Sequence, residues 1–145
     1  MATLVGPADI GKSSLARNVA IDWLGEFCGN AWFVRVRDDS TGEMLLADLL
    51  NVASPQSPPS TNPSPALGSN PVLLILDGCD QATEACRQFA DDLIRSCPQL
   101  TILATAREPL GIAQERVVEV GPMALPAPNS SGEALFDFES ARLYL

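Results

Sequence analysis

The chain has 145 residues, enough for one domain with a single sizeable core, and its 46% apolar and 19% charged residues give a globular profile rather than a disordered one. Its net charge of −9 disfavours direct nucleic-acid contact by this segment, because attraction to phosphate needs a basic face. No apolar run approaches the roughly 18 residues of a membrane span, no basic stretch precedes an apolar one as in a secretory leader, and no histidine exists for an imidazole base.

The expectation is therefore a cytoplasmic protein that neither spans a membrane nor touches nucleic acid through this segment. Cys28, Cys79, Cys86 and Cys97 lack C-x-x-C spacing, so reduced thiols are expected rather than a disulfide or a zinc site.

Taken in order, Ala2-Thr3-Leu4-Val5 reads as a short buried strand. It runs into Gly6-Pro7-Ala8-Asp9-Ile10-Gly11-Lys12-Ser13, which fits the phosphate-binding pattern G-x-x-x-x-G-K-[ST] at every fixed position. Ser14 to Leu24 then reads as a helix with Leu15, Val19, Trp23 and Leu24 on its buried face and Ala16 and Ala20 beside them. Strand, loop and helix are the arrangement that phosphate binding requires. Gly6 and Gly11 let the backbone turn tightly and bring N–H groups to phosphate oxygens, and the helix N-terminus adds partial positive charge. The expected binding residues are Gly6, Pro7, Ala8, Asp9, Ile10, Gly11, Lys12, Ser13 and Ser14. Lys12, the only lysine in the chain, supplies a full charge for the β- and γ-phosphates, and the Ser13 hydroxyl is a candidate Mg²⁺ ligand.

Ala31 to Arg37 reads as a second strand, with Trp32, Val34 and Val36 on one side and Phe33, Arg35 and Arg37 on the other. That mixed pattern suggests a place at or near a sheet edge. Glu43 to Val52 reads as a helix with Met44, Leu45, Leu49 and Val52 as its stripe. The stretch from Ser54 to Asn70, closed by Pro71, carries five prolines among serines and asparagines and no charge. Two readings stand: a flexible Pro/Ser-rich insertion at 54–71 without a core role, or a ligand with P-x-x-P spacing.

Val72-Leu73-Leu74-Ile75-Leu76-Asp77 is a continuous apolar run ending in an acid, as in an interior strand of a parallel sheet. Ligands of such sheets bind beyond the carboxyl ends of the strands, which makes Asp77 a candidate Mg²⁺ holder; a strand-end helix cap is the alternative. Asp80, three residues on, either activates a water or caps the next helix. That helix is expected over Gln81 to Cys97, burying Ala82, Cys86, Phe89, Leu93, Ile94 and Cys97. Thr101 to Thr105 is another buried strand, with Arg107 just past its carboxyl end, either facing γ-phosphate or in a surface salt bridge. Glu108 to Gln114 reads as a loop and Val117 to Val120 as a fifth strand. Gly121 to Gly132 reads as linker, and Glu133 to Leu145 as a partly apolar helix.

The phosphate loop, the stretch Leu73 to Asp80 and the stretch Ile102 to Gly111 together resemble the STAND ATPases. The resemblance is to the branch found in bacterial transcriptional regulators, related to NB-ARC modules. It implies an α/β, three-layer P-loop NTPase fold whose five-stranded parallel sheet runs in the order 5-1-4-3-2. It also implies a core over 1–126, and over 127–145 a linker and the start of a following helical region. The implied function is an ATP/ADP switch with Mg²⁺ and slow hydrolysis, and an interaction module that hydrolyses nothing is the alternative. Ser13 and Asp77 match the metal ligands, Asp80 the following acid and Arg107 the sensor arginine. Ala8 and Asp9 stand where related loops carry two glycines, and Asp80 replaces a longer glutamate. In the resembling family an upstream segment closes over adenine and helical and winged-helix regions follow. A truncated core is therefore expected, with weak base selectivity and with self-association or those regions as partners beside the nucleotide.

Overall fold

The structure, a computed structural model, describes residues 1–55, 63, 67 and 69–122. The strands are β1 (Ala2–Val5), β2 (Ala31–Arg35), β3 (Val72–Asp77), β4 (Leu100–Ala106) and β5 (Arg116–Glu119). They form one sheet, ordered β2-β3-β4-β1-β5, in which every neighbouring pair is parallel. Read from the other edge this is 5-1-4-3-2, the order that the resemblance implies. The helices are α1 (Lys12–Trp23), α2 (Gly42–Ala53) and α3 (Thr83–Ser96), with a short 3-10 helix at Cys79–Gln81.

Helices cover both faces of the sheet, so β3 is buried along its whole length, as its unbroken apolar run requires. Leu45 and Leu49 of α2 and Cys86, Phe89, Ala90 and Leu93 of α3 pack on one face with Leu74, Leu76, Ile102 and Ala104. The Thr41 hydroxyl starts α2 by accepting from the Met44 N–H.

On the other face, Ala16 and Ala20 of α1 pack with Leu4, Leu73, Ile75 and Leu103. Here the sequence expectation fails. Leu15, Trp23 and Leu24, expected as the buried face, are exposed, and the alanines make the contact instead. Small side chains four residues apart let the helix axis approach the strands closely, and the larger residues are left at its flanks.

The helix expected over 81–97 is present as α3 but starts two residues later. Ala82 takes an extended φ of −143°, so the 3-10 helix ends at Gln81 and α3 starts afresh at Thr83. All four cysteines are free thiols. A bond to Cys86 and then burial push the Cys79 thiol well above its ordinary range, so it is no nucleophile at neutral pH.

Most of the Pro/Ser-rich segment lies outside the described residues, as do all but the first two residues of the linker expected over Gly121 to Gly132 and the whole helix expected over Glu133 to Leu145. Within the segment, Pro63 is buried and Leu67 is 4% exposed in the core cluster beside Leu45 and Leu49. The expectation of no core role therefore does not hold at Leu67, because a single large side chain finds apolar partners that the composition around it conceals. Leu67→Ala is expected to cost about 2–4 kcal/mol, read as a lower midpoint in urea unfolding with an unchanged slope.

Candidate nucleotide site

The parallel register brings four positions into one row at the carboxyl edge of the sheet. Arg35 pairs with Asp77, the next step of the β3–β4 register sets Asp77 beside Thr105, and Thr105 pairs with Leu4. Gly6 follows one residue beyond Val5, so the phosphate loop leaves the same edge. β4 intervenes between β1 and β3, which puts Asp77 about 10 Å across the sheet from the strand that feeds the loop.

The loop itself is shaped by three backbone features. Gly11 has φ +96° and Asp9 φ +59°, both left-handed. Glycine takes that conformation freely; aspartate is one of the few other residues that tolerates it. A side chain at Gly6 would meet the Val120 carbonyl oxygen at 2.6 Å, so glycine there is what lets the exit of β5 pass against the start of the loop. The Val120 N–H in turn donates to the Val5 carbonyl at 2.8 Å.

Lys12 is 9% exposed, and its Nζ donates to the carbonyls of Gly6 at 2.8 Å and Pro7 at 2.6 Å. The ammonium is thus held back over the loop by uncharged acceptors, with no carboxylate against it. The N-cap of α1 is Gly11, which offers no side-chain acceptor to the orphan N–H groups of the first turn. Pro7, Ala8, Asp9, Gly11 and Ser14 are exposed, and Gly6, Ile10 and Ser13 are half-buried. One buried ammonium, uncapped helix N–H groups and a left-handed loop make a donor set that fits phosphate oxygens.

Asp77 is 5% exposed at the end of β3. The Thr105 hydroxyl donates to its Oδ1 at 2.8 Å and accepts from the Gly78 N–H at 2.9 Å. Asp77 therefore does not serve as a helix cap; the 3-10 helix after it has no side-chain cap. Arg35 Nε stands 3.9 Å from Oδ2. Among the described residues no cluster of three or more His, Cys, Asp or Glu side chains forms a metal site. One carboxylate plus a serine hydroxyl is the kind of all-oxygen set that Mg²⁺ completes with water and phosphate oxygens. The site residues therefore fit Mg-nucleotide.

Asp80 does not cap α3 either, whose N-cap is Ala82 with no side-chain bond. It sits in the 3-10 helix with Oδ2 3.3 Å from Nε of Arg107, which makes an ion pair of the two residues singled out for chemistry. They line a cleft of about 340 Å³ with Gln81, Thr83, Glu108 and Pro109.

Sequence reasoning missed one residue of this edge, Thr105, and one at the opposite, amino edge, Glu115. Thr105 holds Asp77 across 28 positions of chain, and only the strand order reveals it. Glu115 ties the loop between β4 and β5 by accepting from the N–H groups of Leu110 at 2.9 Å, Gly111 at 2.8 Å and Ile112 at 3.4 Å. Burial pushes its carboxyl up, but the three backbone N–H groups it accepts from help hold it below the usual 4.5. The folded chain therefore binds this proton less readily than the unfolded chain. The stabilisation is complete above about pH 4.5 and lost as pH falls through the lowered value. Glu115→Gln is expected to lower Tm by about 3–6 °C at pH 7, with the gap to wild type closing below pH 4.5 in a melting series.

Comparison with known proteins places this geometry. The model of a family described as the NACHT domain matches residues 1–126. The Mycobacterium tuberculosis protein Rv0894 is 33% identical over 129 residues, covering 86% of this chain and 33% of its own length. Rv0890c of the same organism, named as an HTH-type transcriptional regulator, is 30% identical over 129 residues, 86% of this chain and 14% of its own. This chain thus spans about a third of Rv0894 and less of Rv0890c. Among solved structures, the Aeropyrum pernix ORC1 protein in complex with DNA superposes with a TM-score of 0.63 at 16% identity, over 99% of this chain and 43% of its own. That likeness bears on the fold alone.

Proposed function

The chain belongs to the NACHT domain family, within the STAND class of P-loop NTPases, and from that premise we propose that its core is the ATP/ADP-binding switch domain of a larger signalling or transcriptional regulator. The observation that carries the reading is Lys12. A buried ammonium bonded to Gly6 and Pro7 carbonyls at an uncapped helix N-terminus is poised to exchange those neutral acceptors for phosphate oxygens. In this reading residues 6–14 cradle the phosphates, and Ser13 and Asp77 are the protein ligands of Mg²⁺. The cation, when bound, neutralises charge on the β- and γ-phosphates. Thr105 fixes the carboxylate of Asp77 for that purpose.

Hydrolysis in this account is slow. Asp80 orients the attacking water and Arg107 meets γ-phosphate charge, yet each now satisfies the other at 3.3 Å. Their pair has to open before either acts. That observation also supports the second reading, a module that binds nucleotide and hydrolyses nothing. The core of this switch is the stretch 1–126 that the family model matches. Partner regions beyond this core, in a protein the length of Rv0890c, would transmit the nucleotide state. The net charge of −9 keeps this segment itself off nucleic acid.

Asp9 opposes tight binding, since its carboxylate repels phosphate and its backbone is left-handed at an L-residue. Asp9→Gly is expected to tighten ADP binding by about 3- to 10-fold, measured by competition against a fluorescent nucleotide. The same assay tests the function. Displacement by ATP, GTP and CTP within a few-fold of each other, at roughly micromolar to millimolar levels, supports a phosphate-held switch core. Turnover that Lys12→Ala abolishes separates the slow ATPase from the silent module, and failure of every nucleotide to displace the probe contradicts the proposal.

A further inference from the structure

We infer that Arg35 of β2 is an exchangeable counter-ion for Asp77, occupying the side of the carboxylate that a divalent cation takes, so that cation binding releases the Arg35 guanidinium from Asp77. This rests on the metal role given to Asp77 above. The two oxygens of Asp77 have separate surroundings. Oδ1 accepts from Thr105 at 2.8 Å, and Oδ2 faces the guanidinium of Arg35 at 3.9 Å. The carboxylate is buried, whereas the Arg35 side chain is 66% exposed. The two partners are therefore held very differently. Thr105 is locked by a second bond from the Gly78 N–H, so Oδ1 stays engaged. Among the described residues the ion pair that Arg35 makes is this one, beyond hydrogen-bond length and on a side chain 66% exposed, so little holds the guanidinium in place.

Arg35 also has somewhere to go. It lines an open cleft of about 660 Å³ with Arg37, Asp38, Asp39, Asp77, Gly78 and Gln81. Asp38 and Asp39 sit on the connection to α2, and Arg37 is already drawn to Asp39 at 3.9 Å and Asp48 at 3.5 Å. A guanidinium expelled from Asp77 meets carboxylates in the same cleft. Two like charges cannot share Oδ2, so a cation arriving there and Arg35 are mutually exclusive partners. The edge strand thereby senses whether Asp77 holds metal, and the connection from β2 to α2 receives the displaced charge.

The test uses Mn²⁺ alone with the whole chain, free Mn²⁺ being counted by electron paramagnetic resonance, so it does not depend on nucleotide. Arg35→Gln is expected to bind Mn²⁺ about two- to five-fold more tightly than wild type, the range for a partly exposed ion pair. Arg35→Lys, which keeps a cation there, should stay near wild type, and Asp77→Asn should lose the site. Arg95→Gln removes the same charge at a remote pair with Asp91 and controls for net charge. Equal or weaker Mn²⁺ binding in Arg35→Gln overturns the inference. So does an equal gain in Arg95→Gln, or the absence of any Asp77-dependent Mn²⁺ site. If the Mn²⁺ pattern holds while no nucleotide binds, only the nucleotide reading falls.

Discussion

Lys12→Ala is expected to weaken ATP and ADP binding by roughly 10- to 200-fold, the value of one hydrogen-bonded charge in a partly dry site. No other lysine exists to replace it. At the carboxyl edge of the sheet the arginines are Arg107, just past β4 and paired with Asp80, and Arg35, on β2 three strands from β1 and beside Asp77. The size of the effect follows from burial. An exposed lysine would exchange water for phosphate with little gain, whereas Lys12 is 9% exposed and already stripped of most of its water. The variant also loses the bonds to Gly6 and Pro7, so circular dichroism and a melting curve should accompany the titration. A folded variant with affinity within two-fold of wild type would remove the loop from the site.

Asp77→Asn should abolish most of the gain in ATP affinity that Mg²⁺ gives, an effect on the order of ten-fold. The substitution keeps the shape and leaves an oxygen to accept from Thr105, so the network through Gly78 survives. What it removes is the negative charge that a hard cation needs. Metal-free affinity should be unchanged or slightly higher, since a carboxylate near the phosphates is gone. ATP titrations with Mg²⁺ and with EDTA measure both quantities. A Mg²⁺ dependence equal to that of wild type would show that the cation is held elsewhere.

The parts legible in the sequence are those fixed by local chemistry. The phosphate loop is contiguous, and its pattern states which backbone angles and charges it needs. β3 announces itself because a strand covered on both faces must be apolar throughout, and Asp77 is conspicuous as the acid that ends it. The edge position of β2 was readable from arginines alternating with apolar residues. Other features depend on distance along the chain. The partnership of Thr105 with Asp77 exists only once β4 lies between β3 and β1. The pairing of Asp80 with Arg107 joins two segments that periodicity treats separately. The face of α1 was misread for another reason. Counting large apolar residues favours Leu15, Trp23 and Leu24, but close packing of a helix on a sheet is limited by approach distance, and alanine wins. Leu67 was hidden because composition averages over a segment while burial is decided one side chain at a time.

Calorimetric titration of the wild-type chain with ADP and ATP, each with and without Mg²⁺, tests the central claim most directly. The account predicts saturable binding of both at roughly micromolar to millimolar affinity, with ATP gaining more from Mg²⁺ than ADP because it brings the cation an additional charged phosphate. No heat of binding from either nucleotide at millimolar concentration, from protein shown to be folded, would contradict it.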